Sequence, residues 1–239
     1  MPIAIWVLAL LITAGAAAVQ GTVGIGFGLI SVPILSLMHP DLAPVPQLLM
    51  ALPLTVAMAV RERQAVDLTG VGWIIGGRIP GAFIGVFLLG IATERALDVF
   101  IGVVVLAAVV IIGTGYHIHR SRTTKIAAGI ASGTTGVVSS IGGPPIALIY
   151  TREEADTIRS TLAVVFTFGT LTSMTFRWFS GNMTLMDLRV ALVLLPAVLV
   201  GLWFSTRYND RVPKGAVRTG ILVVCGASAV ALLVRGIAA

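Results

Sequence analysis

Charge is scarce in this chain. Of its 239 residues 11% are charged and 57% are hydrophobic, whereas a soluble domain carries roughly a quarter charged residues. That excludes an ordinary water-soluble enzyme. The apolar residues fall in runs of about 18 or more, the length that crosses about 30 Å of hydrocarbon. Cysteine is nearly absent too. Cys225 stands alone in Ile221-Leu222-Val223-Val224-Cys225, which excludes disulfides and cysteine metal sites within one chain and reads as a small buried hydrophobe.

Acidic residues are missing from the middles of the apolar runs. Asp41, Asp67, Asp98 and Asp187 lie near segment ends, and Glu153, Glu154 and Asp156 share one polar connection, so no buried carboxylate relay for protons is visible. His39, His117 and His119 also sit at segment ends without a carboxylate cluster to complete a metal site. No metal, other cofactor or enzymatic activity is expected. A Walker sequence is absent, and Gly24-x-Gly26-x-Gly28 lacks the spacing and the following acidic residue of a dinucleotide fingerprint. No Lys or Arg precedes Arg61, so the basic region of a signal peptide is missing and residues 3–19 read as a retained segment. The net charge of +6 does not indicate nucleic acid, because no basic stripe is interleaved with aromatics. It fits cytoplasmic loops enriched in Lys and Arg.

What the chain does have is self-similarity. Gly136 lies 115 residues after Gly21, Gly143 lies 115 after Gly28, Pro196 lies 116 after Pro80, Gly201 lies 116 after Gly85 and Gly220 lies 118 after Gly102. Five landmarks in order describe two repeats of about 115 residues, with a hinge near residues 119–125. The first, 1–119, holds a broken segment at 3–38 and spans at 42–60, 71–90 and 96–114. The second, 120–239, holds a broken segment at 126–150 and spans at 160–179, 185–206 and 216–234.

Arginine and lysine choose between two topologies. If each broken segment crosses once, the two faces hold eight and seven basic residues, with Arg78 left inside, and no orientation emerges. If each is a helical hairpin returning to its own face, one face holds Arg61, Arg63, Arg120, Arg122, Lys125, Arg152, Arg159, Arg207, Arg211, Lys214 and Arg218. The other holds only Arg95, Arg177, Arg189 and Arg235. Eleven against four satisfies the positive-inside rule with both termini outside the cytoplasm. The fold expected is therefore an all-α polytopic membrane protein whose repeats, each a hairpin and three spans, are inverted.

The breaks are the candidate site. The first is Thr22-Val23-Gly24-Ile25-Gly26-Phe27-Gly28, and the second is Ser139-Ser140-Ile141-Gly142-Gly143-Pro144-Pro145. Backbone leaves a helix at membrane depth only where protein or a cavity satisfies its polar groups. Each returning helix starts with unpaired N–H groups and partial positive charge, so it suits an anion. Pro144 fits a first helical position, Gly142 and Gly143 permit close approach, and Ser139 and Ser140 can donate hydroxyls. Close helix packing is the competing explanation for Gly24, Gly26 and Gly28. Arg78 lies near the middle of a span, where a charge must face the interior, and a guanidinium grips oxyanions in bidentate fashion. Arg177, beside Trp178, reads as an interfacial anchor.

The motifs G-x-G-F-G-x-x-x-x-P at Gly24–Pro33 and G-x-x-S-S-I-G-G-P-P at Gly136–Pro145, in two repeated halves, resemble the TauE/SafE family of membrane transporters, the sulfite exporters. The resemblance implies movement of sulfite, sulfonates or related organic anions across the bacterial cytoplasmic membrane. It places Gly24, Gly26, Gly28 and Pro33, with Ser139, Ser140, Gly142, Gly143 and Pro144, at the family's motifs. The first motif lacks a Ser-Ser pair and has only Thr22 and Ser31 nearby. Partners expected are the anion and membrane lipid, with a homo-oligomer left open. The alternatives are a carboxylate or metabolite carrier, or a non-transporting membrane scaffold.

Overall fold

A computed structural model describes residues 1–115, 118–150, 153–208 and 214–238. Among them are ten α-helices and no strand: α1 (Ile3–Val23), α2 (Phe27–Met38), α3 (Val45–Arg61), α4 (Leu68–Ile91), α5 (Glu94–Thr114), α6 (Arg122–Ser139), α7 (Gly143–Tyr150), α8 (Ala155–Phe179), α9 (Leu185–Tyr208) and α10 (Lys214–Ala238). Helix is the form that satisfies every backbone group within one segment, which hydrocarbon demands. Local signals start several of them. Asp67 accepts from the Gly70 N–H at the head of α4, and Thr93 accepts from Ala96 at the head of α5. Ser121 and Thr124 form a capping box at the head of α6.

Six helical segments among the described residues are long and apolar enough to cross a membrane: Ile3–Val23, Pro40–Arg61, Leu68–Ile91, Glu94–Thr114, Leu185–Tyr208 and Thr219–Ala238. This is a multi-pass membrane protein. Helices α6 and α8 are absent from that set because threonines, serines and charged residues dilute their apolar content. They pack inside the bundle instead, α6 against α4 and α8 against α3 and α4.

The packing is matched across the halves. Helix α1 lies on α9 and α6 lies on α4, while α3 pairs with α8 and α5 with α10. The last two pairs run antiparallel. Glu62, just past the end of α3, bonds Arg159 near the start of α8 at 2.8 Å, and Gly113 and Gly236 near the ends of α5 and α10 face Leu222 and Val99. Missing side chains allow the closest contacts. A Cβ on Gly77 or Gly81 of α4 would collide with the Ile126 or Ile130 carbonyl of α6, and one on Gly201 of α9 would collide with the Ala14 carbonyl of α1.

Both broken segments are hairpins. Gly24 (φ +92°) and Gly26 (φ +136°) take left-handed conformations that turn α1 into α2. The second turn uses Ser140 (φ +60°), an uncommon state for a side-chain-bearing residue. The tips point to opposite ends of the bundle. The first lies beside Arg61, which donates to the Gly21 carbonyl at 2.6 Å. The second lies beside Pro44, whose carbonyl accepts from the Ser140 hydroxyl at 2.9 Å. Among the described residues Arg61, Arg63, Arg120, Arg122, Lys125, Arg159 and Arg207 stand at the first end, and Arg95, Arg177, Arg189 and Arg235 at the other. Arg152 and Arg211 lie outside the described residues.

Candidate functional site

Between those ends, a cavity of about 60 Å³ is lined by Gly26, Phe27, Gly28 and Leu29 from the first break and by Ser140, Ile141, Gly142 and Gly143 from the second. Gly28 meets the Ser140 carbonyl directly, 2.8 Å from where its Cβ would stand. The breaks, 115 residues apart in sequence, thus build one space.

Arg78 of α4 enters the same cavity and is 3% exposed. Its Nη1 donates to Ser132 Oγ of α6, and that hydroxyl donates to the Gly142 carbonyl at 2.5 Å. Among the described residues the Nε has no partner, and no carboxylate is found in the cavity lining. A guanidinium so placed is a buried cation lacking a counter-ion, a costly arrangement unless an anion completes it.

The walls around Arg78 are cut to its shape. A Cβ on Gly169 of α8 would collide with the guanidinium carbon, and one on Gly142 would stand 3.1 Å from Nη1. Opposite Gly136, the vacant Cβ position lies 3.0 Å from Arg78 Nη2 and 3.2 Å from Ser173 Oγ. A methyl there would press on both groups, so glycine at this position leaves the guanidinium and the Ser173 hydroxyl their place. Thr170 and Ser173 face the cavity from α8, and their hydroxyls make no hydrogen bond among the described residues. Gly136, Gly169, Thr170 and Ser173 were not among the sequence candidates; Gly136 had appeared only as a repeat landmark and motif boundary.

The two helix starts differ as anion holders. In α2 the Phe27 N–H already donates to Gln20 Oε1 at 3.0 Å, and the next two residues of the first turn, Gly28 and Leu29, line the cavity. In α7, Gly143 is followed by Pro144 and Pro145, which have no N–H to offer. The first start keeps N–H groups at successive first-turn positions, where the second, after Gly143, has two prolines without one.

Of the residues singled out from sequence, Gly26, Gly28, Arg78, Ser140, Gly142 and Gly143 line the cavity. Thr22, Gly24, Ser139 and Pro144 lie outside its lining. Thr22 and Ser139 donate back into their own helices, to Ala18 at 2.9 Å and Thr135 at 2.7 Å. Gly24 packs on Arg159, with 3.1 Å from its Cβ position to Cγ, and Pro144 is buried in α7.

Arg177 is 4% exposed and is not an interfacial anchor. Its Nε and Nη2 donate to the Val137 and Val138 carbonyls at 2.6 and 2.9 Å, closing the end of α6. Arg61 closes the end of α1 in the same way through the Gly21 carbonyl. Arg177 lies 116 residues after Arg61, so the repeat offset carries a signal for this pair. Both satisfy carbonyls that a helix end leaves without partners.

The open ends of the hairpins are tied as well. Near the basic end the Asp67 carboxylate accepts from Tyr150 OH of α7 at 3.0 Å and from Arg120 of the hinge, with Lys125 3.8 Å away. Burial pushes this carboxyl up, but the Gly70 N–H, Thr69, Tyr150 and Lys125 hold it below the ordinary value. At the other end Arg235 grips Asp98 at 2.6 and 2.7 Å and donates to the Ser36 carbonyl of α2 at 2.7 Å.

The family model described as Sulfite exporter TauE/SafE matches residues 8–232. Comparison with curated proteins and with solved structures returns no match. With both breaks, Arg78 and nearly the whole bundle inside the matched residues, the chain belongs to the TauE/SafE sulfite exporter family of membrane transporters.

Proposed function

We propose that this protein is a secondary transporter that exports a small sulfur oxyanion such as sulfite across the bacterial cytoplasmic membrane, binding it at the junction of the two hairpins. The observation that carries the reading is Arg78, a buried guanidinium whose Nε has no partner among the described residues, in a cavity lined by hydroxyls and the first turn of α2 with no carboxylate in that lining. The cavity has room for roughly four to six water-sized atoms at about 10–15 Å³ each, which suits sulfite better than a longer sulfonate.

The basic end faces the cytoplasm in this reading, so α1 begins and α10 ends outside. Antiparallel packing of α3 on α8 and of α5 on α10 supports an inverted repeat. Alternating access then consists of rocking the hairpins, whose ends are tied at Asp67 and Asp98, against the remaining spans. Proteoliposomes loaded with labelled sulfite test the proposal. Efflux abolished by Arg78→Gln, in protein of unchanged thermal stability, is the expected result; equal efflux from wild type and variant would refute it.

A further inference from the structure

The cavity lining holds one cationic side chain, Arg78, and no second one to pair with a dianion. We propose that it selects the singly charged form of its oxyanion, hydrogen sulfite over the sulfite dianion, with no protein group taking up a proton. This rests on the anion-transport reading above.

Among the lining residues Arg78 alone is charged, and none is Asp, Glu, His, Lys, Cys or Tyr. The helices around it add nothing. Helices α1 and α2 contain no ionisable side chain, and α4 contains only Arg78. Arg61 of α3 is committed to Glu62 and the Gly21 carbonyl. At the start of α6, Arg122 lies over Trp73 and Lys125 lies near Asp67. Tyr150 ends α7 on the same Asp67. In α8, Asp156 and Arg159 pair with each other at the basic end, and Arg177, one turn beyond Ser173, is bound to backbone carbonyls.

The second half confirms that one cation is all the site receives. Leu194, 116 residues after Arg78 and two before Pro196 as Arg78 is two before Pro80, is fully buried. An inverted pair of arginines would have suited a dianion; this chain has one arginine and one leucine. A guanidinium and a monoanion form a neutral pair, whereas a dianion would leave one buried charge uncompensated, at a cost of several kcal/mol. Thr170 and Ser173 can accept the acid's own O–H as well as donate to its oxygens. A monoanion also needs no coupling ion to leave a cell that is negative inside, since each charge gains about 2.3 kcal/mol per 100 mV.

The test measures binding of sulfite to the purified wild-type protein between about pH 6 and about pH 8.5. Chlorate, a pyramidal anion isoelectronic with sulfite but of fixed single charge, is measured beside it. The expected apparent Kd for total sulfite rises about tenfold per pH unit once hydrogen sulfite loses its proton near neutrality, while chlorate affinity stays level. Sulfite affinity that holds or tightens on the alkaline side would overturn this inference and leave the transport reading standing. A parallel loss of chlorate affinity would place the proton on the protein and overturn it too. Failure of both anions to bind in an Arg78-dependent way at any pH would overturn the transport reading along with it.

Discussion

At the first break α2 follows Gly26 and has its Phe27 N–H held by Gln20; at the second, α7 starts at Gly143 and continues with two prolines that have no N–H. The same contrast recurs one layer out. A Cβ on Gly136 of the second half would press on Arg78 and Ser173 in the cavity lining, whereas one on its counterpart Gly21 would collide with Ser205 outside it. Arg78 in α4 answers to Leu194 in α9. The packing is matched across the two halves, but the residues at its centre are not. The cation comes from α4 of the first half, and the hydroxyls of Thr170 and Ser173 from α8 of the second.

Exchanging the unlike members of each pair breaks or sharpens that comparison. The largest effect is expected at Arg78. Arg78→Gln should weaken sulfite binding by at least about a hundredfold, the cost of truncating a charged partner in a buried pair, whereas Leu194→Met should leave binding within about twofold. Calorimetric or fluorescence titration of the purified variants reads both.

The arginine caps come next. Arg177→Gln leaves the Val137 and Val138 carbonyls without their guanidinium, at about 1–3 kcal/mol for each unpaired buried group. Arg61→Gln should cost less, because Arg61 is half-buried and its carbonyl lies at the basic end. Thermal unfolding in detergent should therefore rank wild type above Arg61→Gln above Arg177→Gln.

The glycine pair separates binding from packing. Gly136→Ala presses a methyl against Arg78 Nη2 and Ser173 Oγ, so it should displace two of the cavity's donors and lower affinity about tenfold, or about 1.4 kcal/mol. Gly21→Ala collides with Ser205 instead and should lower the melting temperature while sparing the affinity of the protein that folds.

The smallest effect is at the Asp67 latch. Its carboxyl lies below the ordinary 3.8 in the folded protein, so its contribution is present above that pH and is lost as pH falls through the folded value. The melting temperature should drop on acidification below about pH 4, and Asp67→Asn should flatten that drop.

Much of this was legible in the sequence. The runs, the two breaks, the 115-residue offset and the sorting of basic residues depend on local composition and spacing, which a membrane constrains tightly. Arg78 was visible because a charge in mid-span is costly wherever it points. The α8 wall was not. Gly169, Thr170 and Ser173 sit among other small and hydroxylated residues in a helix where many threonines simply donate to their own backbone, as Thr167 and Thr172 do. Only tertiary packing distinguishes those that face Arg78. The same limit hid the division within the motifs. Ser139 and Ser140 are neighbours in sequence, yet one closes on its own helix and the other turns left-handed to Pro44 and the cavity.

An experimental structure with selenite bound tests the central claim most directly, because selenite is a pyramidal oxyanion whose selenium scatters anomalously. One anomalous peak is expected in the cavity between the Arg78 guanidinium, Ser173 and the first turn of α2, and its loss is expected in Arg78→Gln. A peak retained in that variant, or one bound instead at Arg95 and Arg235 with the cavity empty, would contradict it.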